Sequence, residues 1–410
     1  MKSYKDYITE AEANLHMTHL EDAVIDGGVT GTRNVINYLR NIRDMLSGNT
    51  KAPVSLTTKW DGAPAIFAGV DPSDGQFFVA KKGVFNKTPK LYKNNDEIDN
   101  DLSGDLNSKF KVALAEFSKL GIEGVVQGDF LYTNNDLQTE NIDGEPHITF
   151  HPNTIVYAIP KSSDLGAKIS RSKIGVVWHT TYGGSSLETM SASFGKKIST
   201  KLNNIASVWH VDATFEDKSG NATFTAAETK ALTAQLSKAG SLFRTIDAKI
   251  LNEFGKNEDL NQKVNTYINS KVRDGQRIGS VKPFVIGLQR YIQDYYKKQA
   301  DARKTPAGKK VQMDKATAAL SIFQKQNTRK IEAIFTLYDL LVDMKYVIIE
   351  KLNQVGGIRT LLKTKDGFEV TGQEGFVAID HYGKNALKIV DRLGFSQANF
   401  SDKYIKGWQK

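Results

Sequence analysis

The 410-residue chain contains no cysteine. Disulfides, thiolate nucleophiles and cysteine-ligated zinc or iron–sulfur clusters are therefore excluded, and with them any disulfide-linked partner. The absence fits a reducing, cytoplasmic compartment. Long apolar runs are missing too. No stretch approaches the ~18 residues a transmembrane helix needs, so no membrane partner is expected. Mean hydropathy is −0.39. The start, Met1 to Tyr7, is polar and charged, unlike a secretory signal. His16 and His19 are spaced i, i+3, but two histidines without a third ligand read as structural or surface residues rather than a metal centre.

What is present is basic charge. Fifty-five lysines and arginines face 46 acids, a net charge of +9. That balance suits an anionic partner such as nucleic acid or a nucleotide. The length allows two or three packed domains.

Taken in order, residues 1–50 read as an N-terminal helical segment. Thr30 or Thr32 is placed to cap a helix through Leu46, with Val35, Ile36, Leu39, Ile42 and Leu46 on one face. Residues 51–184 read as the first part of a β-rich core. Apolar strands are expected at Val54–Thr58, Ala65–Val70, Gln76–Ala80, Gly124–Tyr132, Thr154–Pro160 and Ile174–Tyr182, with an amphipathic helix over Asn107–Leu120. Asn134–Pro146 reads as a turn-rich segment. Residues 185–362 are mainly helical from Thr225 to Leu352, where Ile331, Ile334, Phe335, Tyr338 and Leu341 share a face. A basic loop, Lys297–Lys310, lies between its helices. Residues 363–410 return to strands at Gly367–Val370, Gly372–Asp380 and Ala386–Arg392, followed by a tail.

Four charges stand in apolar β settings. Lys59 closes a strand and enters the loop Lys59-Trp60-Asp61-Gly62. Asp129 lies inside the strand Gln127-Gly128-Asp129-Phe130, where an acid is disfavoured unless it is paired, binds a cation or faces open space. Glu374 opens the strand Glu374-Gly375-Phe376-Val377, and Lys388 lies within Leu387-Lys388-Ile389-Val390. Any one of these patterns is short; the ordered set is more specific.

This ordered set resembles the covalent nucleotidyltransferase superfamily of ATP-dependent RNA and DNA ligases and mRNA capping enzymes. Lys59-Trp60-Asp61-Gly62 is similar to the Lys-x-Asp-Gly nucleophile motif. Gln127 to Phe130 is similar to the strand carrying a Gly-Glu pair, and Ile155 to Ile159 to the strand whose aromatic residue, here Tyr157, packs on the base. Glu374 to Val377 matches Glu-Gly-x-Val, and Leu387 to Val390 resembles the last lysine motif. The resemblance covers residues 51–182 and 367–392. The opening Ser3 to Glu10 resembles the first residues of many tailed-phage proteins, which adds the cytoplasm of an infected bacterium as a setting.

The resemblance implies an α+β fold of the ligase type, with ATP-grasp-like antiparallel sheets, flanking helices and an inserted all-α domain. It implies ATP and Mg²⁺ as cofactors and a polynucleotide substrate. RNA is favoured over DNA because no OB-fold follows the last motif. Lys59 would be the nucleophile, attacking only as the neutral amine. Asp61 would position the loop, Gly62 would admit the nucleotide, and Lys388 would neutralise the α-phosphate. Asp129 and Glu374 would hold Mg²⁺ or ribose, since hard cations take oxygen ligands. Thr58, Lys82 and Tyr157 would complete the nucleotide site.

The sequence also departs from the family pattern. Pro64 stands where an arginine is frequent, Val390 where a second lysine is frequent, and Thr58 where RNA ligases often carry an acid. Two alternatives follow: an inactive ligase-like scaffold serving as a nucleic-acid-binding or phage structural protein, and a nucleotidyltransferase with another acceptor.

Overall fold

The computed structural model describes residues 17–48, 54–215, 222–354, 358–380 and 386–409; the opening segment and His16 lie outside them. The protein is α+β. Three sheets form the β part, and a set of long helices is inserted before the last strands.

The smallest sheet matters most for the site. It consists of β1 (Val54–Lys59), β13 (Gly375–Asp380) and β14 (Ala386–Val390), antiparallel and in the order β1-β13-β14. Strands some 320 residues apart in sequence are thus side by side. Side chains alternate along a strand, so Leu56 and Thr58 leave β1 on one face and Thr57 and Lys59 on the other. Leu56, Phe376, Ala378 and Ile389 enter the helical core.

A six-stranded sheet runs β10-β8-β4-β2-β3, with β9 paired to β8. Its members are β2 (Ala65–Val70), β3 (Phe77–Ala80), β4 (Val125–Thr133), β8 (Ile174–Gly183), β9 (Ser191–Phe194) and β10 (Val208–Asp212). All its pairings are antiparallel except the parallel β8–β10. The third sheet is antiparallel throughout, in the order β12-β11-β7-β6-β5. It holds β5 (Gln138–Ile142), β6 (Glu145–Phe150), β7 (Ile155–Pro160), β11 (Arg359–Thr364) and β12 (Gly367–Val370).

Two of these features correct the sequence reading. The segment expected as turns, Asn134–Pro146, contains β5 and the start of β6. Asp143 and Gly144 both take left-handed φ (52° and 85°), the tight hairpin turn that an Asp-Gly pair favours. The flanking strands are too polar to show an apolar alternation. Strand β11 resumes the β part at Arg359, ahead of the expected Gly367, because its pairing with β7 supplies the burial that its own composition does not signal.

Helix α1 (Ala23–Leu46) begins earlier than its threonines suggest and is broken at Gly28, which has non-helical angles. It packs in one core with the helices of the insertion. The longest of these, Thr328–Leu352, buries Ile331, Ile334, Phe335, Leu337, Tyr338 and Leu341. At about 1.5–3 kcal/mol for each fully buried large apolar side chain, this helix alone contributes strongly to the core.

Candidate active site

Lys59 is the last residue of β1 and is paired in register with Gly375, the first residue of β13. Glu374 immediately precedes Gly375, and its carboxylate forms an ion pair with the Lys59 ammonium. The Lys59 side chain keeps 27% of its surface exposed, while that of Glu374 keeps 6%. Burial therefore dominates the acid, whose pKa is pushed up to about 7. Lys59 opposes the shift, and the negative charges of Asp61 and Asp129 add to it.

Lys388 lies opposite Val377 on β14, and Thr57 lies opposite Val377 on β1. By strand alternation Lys388 leaves the sheet on the same face as Thr57 and Lys59. Burial holds the Lys388 ammonium below the ordinary lysine range, with the Lys59 charge adding and Glu374 opposing. The three-stranded sheet therefore gathers two lysines and one buried carboxylate.

The loop after Lys59 is fixed from below. Asp61 is buried, and its carboxylate accepts hydrogen bonds from Asn153 Nδ2 (2.6 Å), the Thr154 amide (2.7 Å) and the Ile155 amide (2.7 Å). Its own amide donates to the Tyr157 hydroxyl at 2.7 Å. Asp61 thus ties the Lys59 loop to the entrance of β7. Gly62 packs against β4: a Cβ there would stand 2.6 Å from Asp129 Cβ and 2.9 Å from the Phe130 carbonyl oxygen. Only glycine fits so close an approach. Asp129 is partly exposed beside this loop, with His179 Nε2 3.8 Å from its carboxylate.

Three sequence-derived site residues do not join this cluster. Tyr157 is fully buried, with Trp60 on one face (centroids 5.0 Å apart) and Phe150 on the other (5.2 Å). Both faces are covered, so it offers no surface for a base and serves as the support for Asp61. Thr58 lies on the face of β1 opposite Lys59, where it lines a groove of about 600 Å³ with Trp60, Trp209 and Phe376. Lys82 is exposed on a short 3₁₀ turn (Lys82–Phe85) at the β3 edge of the other sheet.

Residues missed from the sequence are those that act through others. Asn153 and Thr154 could have been suspected from the polar Pro-Asn-Thr run before an apolar strand. His179 carried no signal beyond its place in a strand. A second ionic cluster was also unread. Glu21 pairs with Lys345 (2.7 Å) and Arg392 (3.3 Å), and Asp22 pairs with Arg392 (2.8 Å) and accepts from the Tyr338 hydroxyl (2.8 Å). It lies next to the site, because the backbone of Lys388 is hydrogen-bonded to Thr18 and Leu20. Burial keeps the intervening His19 neutral, with a pKa lowered to about 3. Among the described residues, no group of three or more His, Asp or Glu is placed to hold a metal ion by itself.

The fold and the site define an α+β protein with antiparallel sheets, whose smallest sheet joins a strand-end lysine to a buried glutamate and a second lysine. The chain belongs to DUF6267, a family of unknown function, which matches residues 14–404. No curated protein and no solved structure matches it.

Proposed function

We propose that the protein is an ATP-dependent polynucleotide ligase, acting on RNA, on a ligase-type nucleotidyltransferase fold. The observation that carries the reading is the β1-β13-β14 sheet. It brings Lys59, Glu374 and Lys388 together from three separate motifs, in the order shared with covalent nucleotidyltransferases. One motif alone is a frequent accident; three converging on one sheet face are not.

The Lys59 amine attacks the α-phosphorus of ATP. A P–N bond forms, the P–O bond to pyrophosphate breaks, and the amine gives up a proton. AMP then passes to a 5′-phosphate, and a 3′-hydroxyl displaces it as the strand is sealed. Glu374 holds Lys59 before the nucleotide arrives, and its pKa of about 7 lets it take up or release a proton near neutral pH. Lys388 faces the charge that builds on the α-phosphate. Asp61 and Gly62 fix the loop. Asp129 and Glu374 offer hard oxygen donors. Two carboxylates fit Mg²⁺, which commonly completes its shell with phosphate oxygens and water, and which would screen phosphate charge when bound.

The test is incubation with Mg²⁺ and ATP labelled at the α-phosphate, followed by denaturation, with Lys59→Ala and Lys59→Arg in parallel. The reading expects label on wild type only. An unlabelled, folded wild type, with ATP and with GTP, would favour a scaffold that no longer reacts. Label that accumulates on a protein or small acceptor and never on a nucleic-acid end would indicate a different transferase.

A further inference from the structure

The chain's positive charge is not evenly spread. Residues 281–320 hold nine lysines and arginines against three aspartates, a net +6 of the chain's +9. They form an antiparallel pair of helices, Val281–Asp301 and Pro306–Leu320. The second helix buries only Ala316 and Ala319 and packs mainly on the first, so the pair stands at the edge of the helical region. Around its turn Lys297, Lys298, Arg303, Lys304, Lys309 and Lys310 are all exposed. The ion pairs among the described residues of the helical region lie elsewhere, on Lys263, Arg277, Lys330, Lys345 and Lys351. Like charges concentrated with few acidic neighbours raise the local potential, and self-repulsion is their cost unless a polyanion covers them.

We propose that this helical hairpin is the surface that grips the sugar–phosphate backbone of the polynucleotide, an assignment that rests on the ligase reading for its substrate. The chemistry favours a nucleic acid over a lipid surface. The exposed large apolar side chains of the second helix are only Val311 and Met313, too few for the continuous apolar face that an interfacial helix needs. No fully exposed aromatic side chain stands beside the turn, so contact is through phosphates rather than by stacking of bases. Binding is therefore indifferent to base sequence and steeply dependent on salt.

The experiment measures fluorescence anisotropy of a labelled single-stranded oligoribonucleotide across a series of KCl concentrations. It compares wild type with the triple variant Arg303→Glu, Lys309→Glu, Lys310→Glu. The expected result is at least tenfold weaker binding and a slope of log affinity on log salt reduced by about 2, from ~0.7 per lost phosphate contact. A second measurement uses wild type alone: RNA should protect the hairpin lysines from acetylation, read by mass spectrometry. Equal binding by the variant, or unprotected lysines, would overturn the assignment. So would wild type that ignores RNA but binds phosphatidylcholine vesicles doped with phosphatidylserine. Binding is read without ATP and again in Lys59→Ala. Loss of RNA binding in the triple variant together with unlabelled Lys59 would leave the grip standing and remove the ligase reading.

Discussion

Two ionic clusters lie on either side of β14, and they differ in how completely they are closed. The Glu21, Asp22, Lys345 and Arg392 cluster is sealed: the Glu21 and Lys345 side chains keep 2% and 1% of their surface, and Arg392 reaches both acids. It joins the N-terminal segment, the longest helix and the start of the last helix, three parts distant in sequence. The Lys59, Glu374 and Lys388 cluster is half open, and its charges are poorly matched. Burial shifts Glu374 towards the neutral acid and Lys388 towards the neutral amine. A closed network of paired charges holds a fold in one arrangement, even with Glu21 Oε2 left without a hydrogen-bond partner. Burial shifts groups in both clusters, raising Asp22 as it raises Glu374, so it is the access to solvent of the second that suits it to chemistry. The two are also connected, since the segment that carries Glu21 pairs with the backbone of Lys388.

If this contrast is right, damage to the two clusters separates. Lys59→Ala should drop nucleotide labelling to background while changing stability by about 1 kcal/mol or less, since Glu374, with a pKa already pushed up to about 7, can take up a proton once its partner is gone. Arg392→Ala should do the reverse at first order. It strands Asp22 and part of the Glu21 interaction, and removing one partner of a buried pair costs about 3–5 kcal/mol, readable by urea unfolding. Equal stability losses in both variants would erase the distinction. Gly62→Ala sharpens it from the side of the loop. The new Cβ meets Asp129 and Phe130, so the expected cost is about 1–3 kcal/mol together with a loss of labelling that lowered temperature does not restore.

A further effect concerns pH. The folded-state pKa of Glu374, about 7, lies above its ordinary value of 4.5. The folded protein therefore binds the extra proton between these values, so this group's favourable contribution is full below pH 4.5 and is lost as pH rises through 7. Unfolding free energy measured for wild type minus that for Glu374→Gln should fall across this interval and level off above it. A flat difference would mean that Glu374 is ionised in the folded protein at all these pH values.

The sequence carried the strands that end in Lys59, begin after Glu374 and contain Lys388, because each is an apolar run interrupted by one charge. It did not carry their adjacency, which comes from pairing across more than 300 residues. Tyr157 shows the limit of a motif. Its position in an apolar strand was visible, but Trp60 and Phe150 covering both its faces was not. Thr58 shows another: strand alternation alone puts it on the face opposite Lys59. The sealed cluster was illegible because Glu21, Asp22, Lys345 and Arg392 look like ordinary surface charges until the helices bring them together.

The most direct test of the central claim is to locate the adduct. After incubation with ATP and Mg²⁺, the protein is digested and the modified residue is mapped by tandem mass spectrometry. The account predicts one AMP on the Nζ of Lys59, absent when Lys59 is replaced by arginine. AMP on another residue, Lys388 included, or no adduct on folded protein, would contradict it.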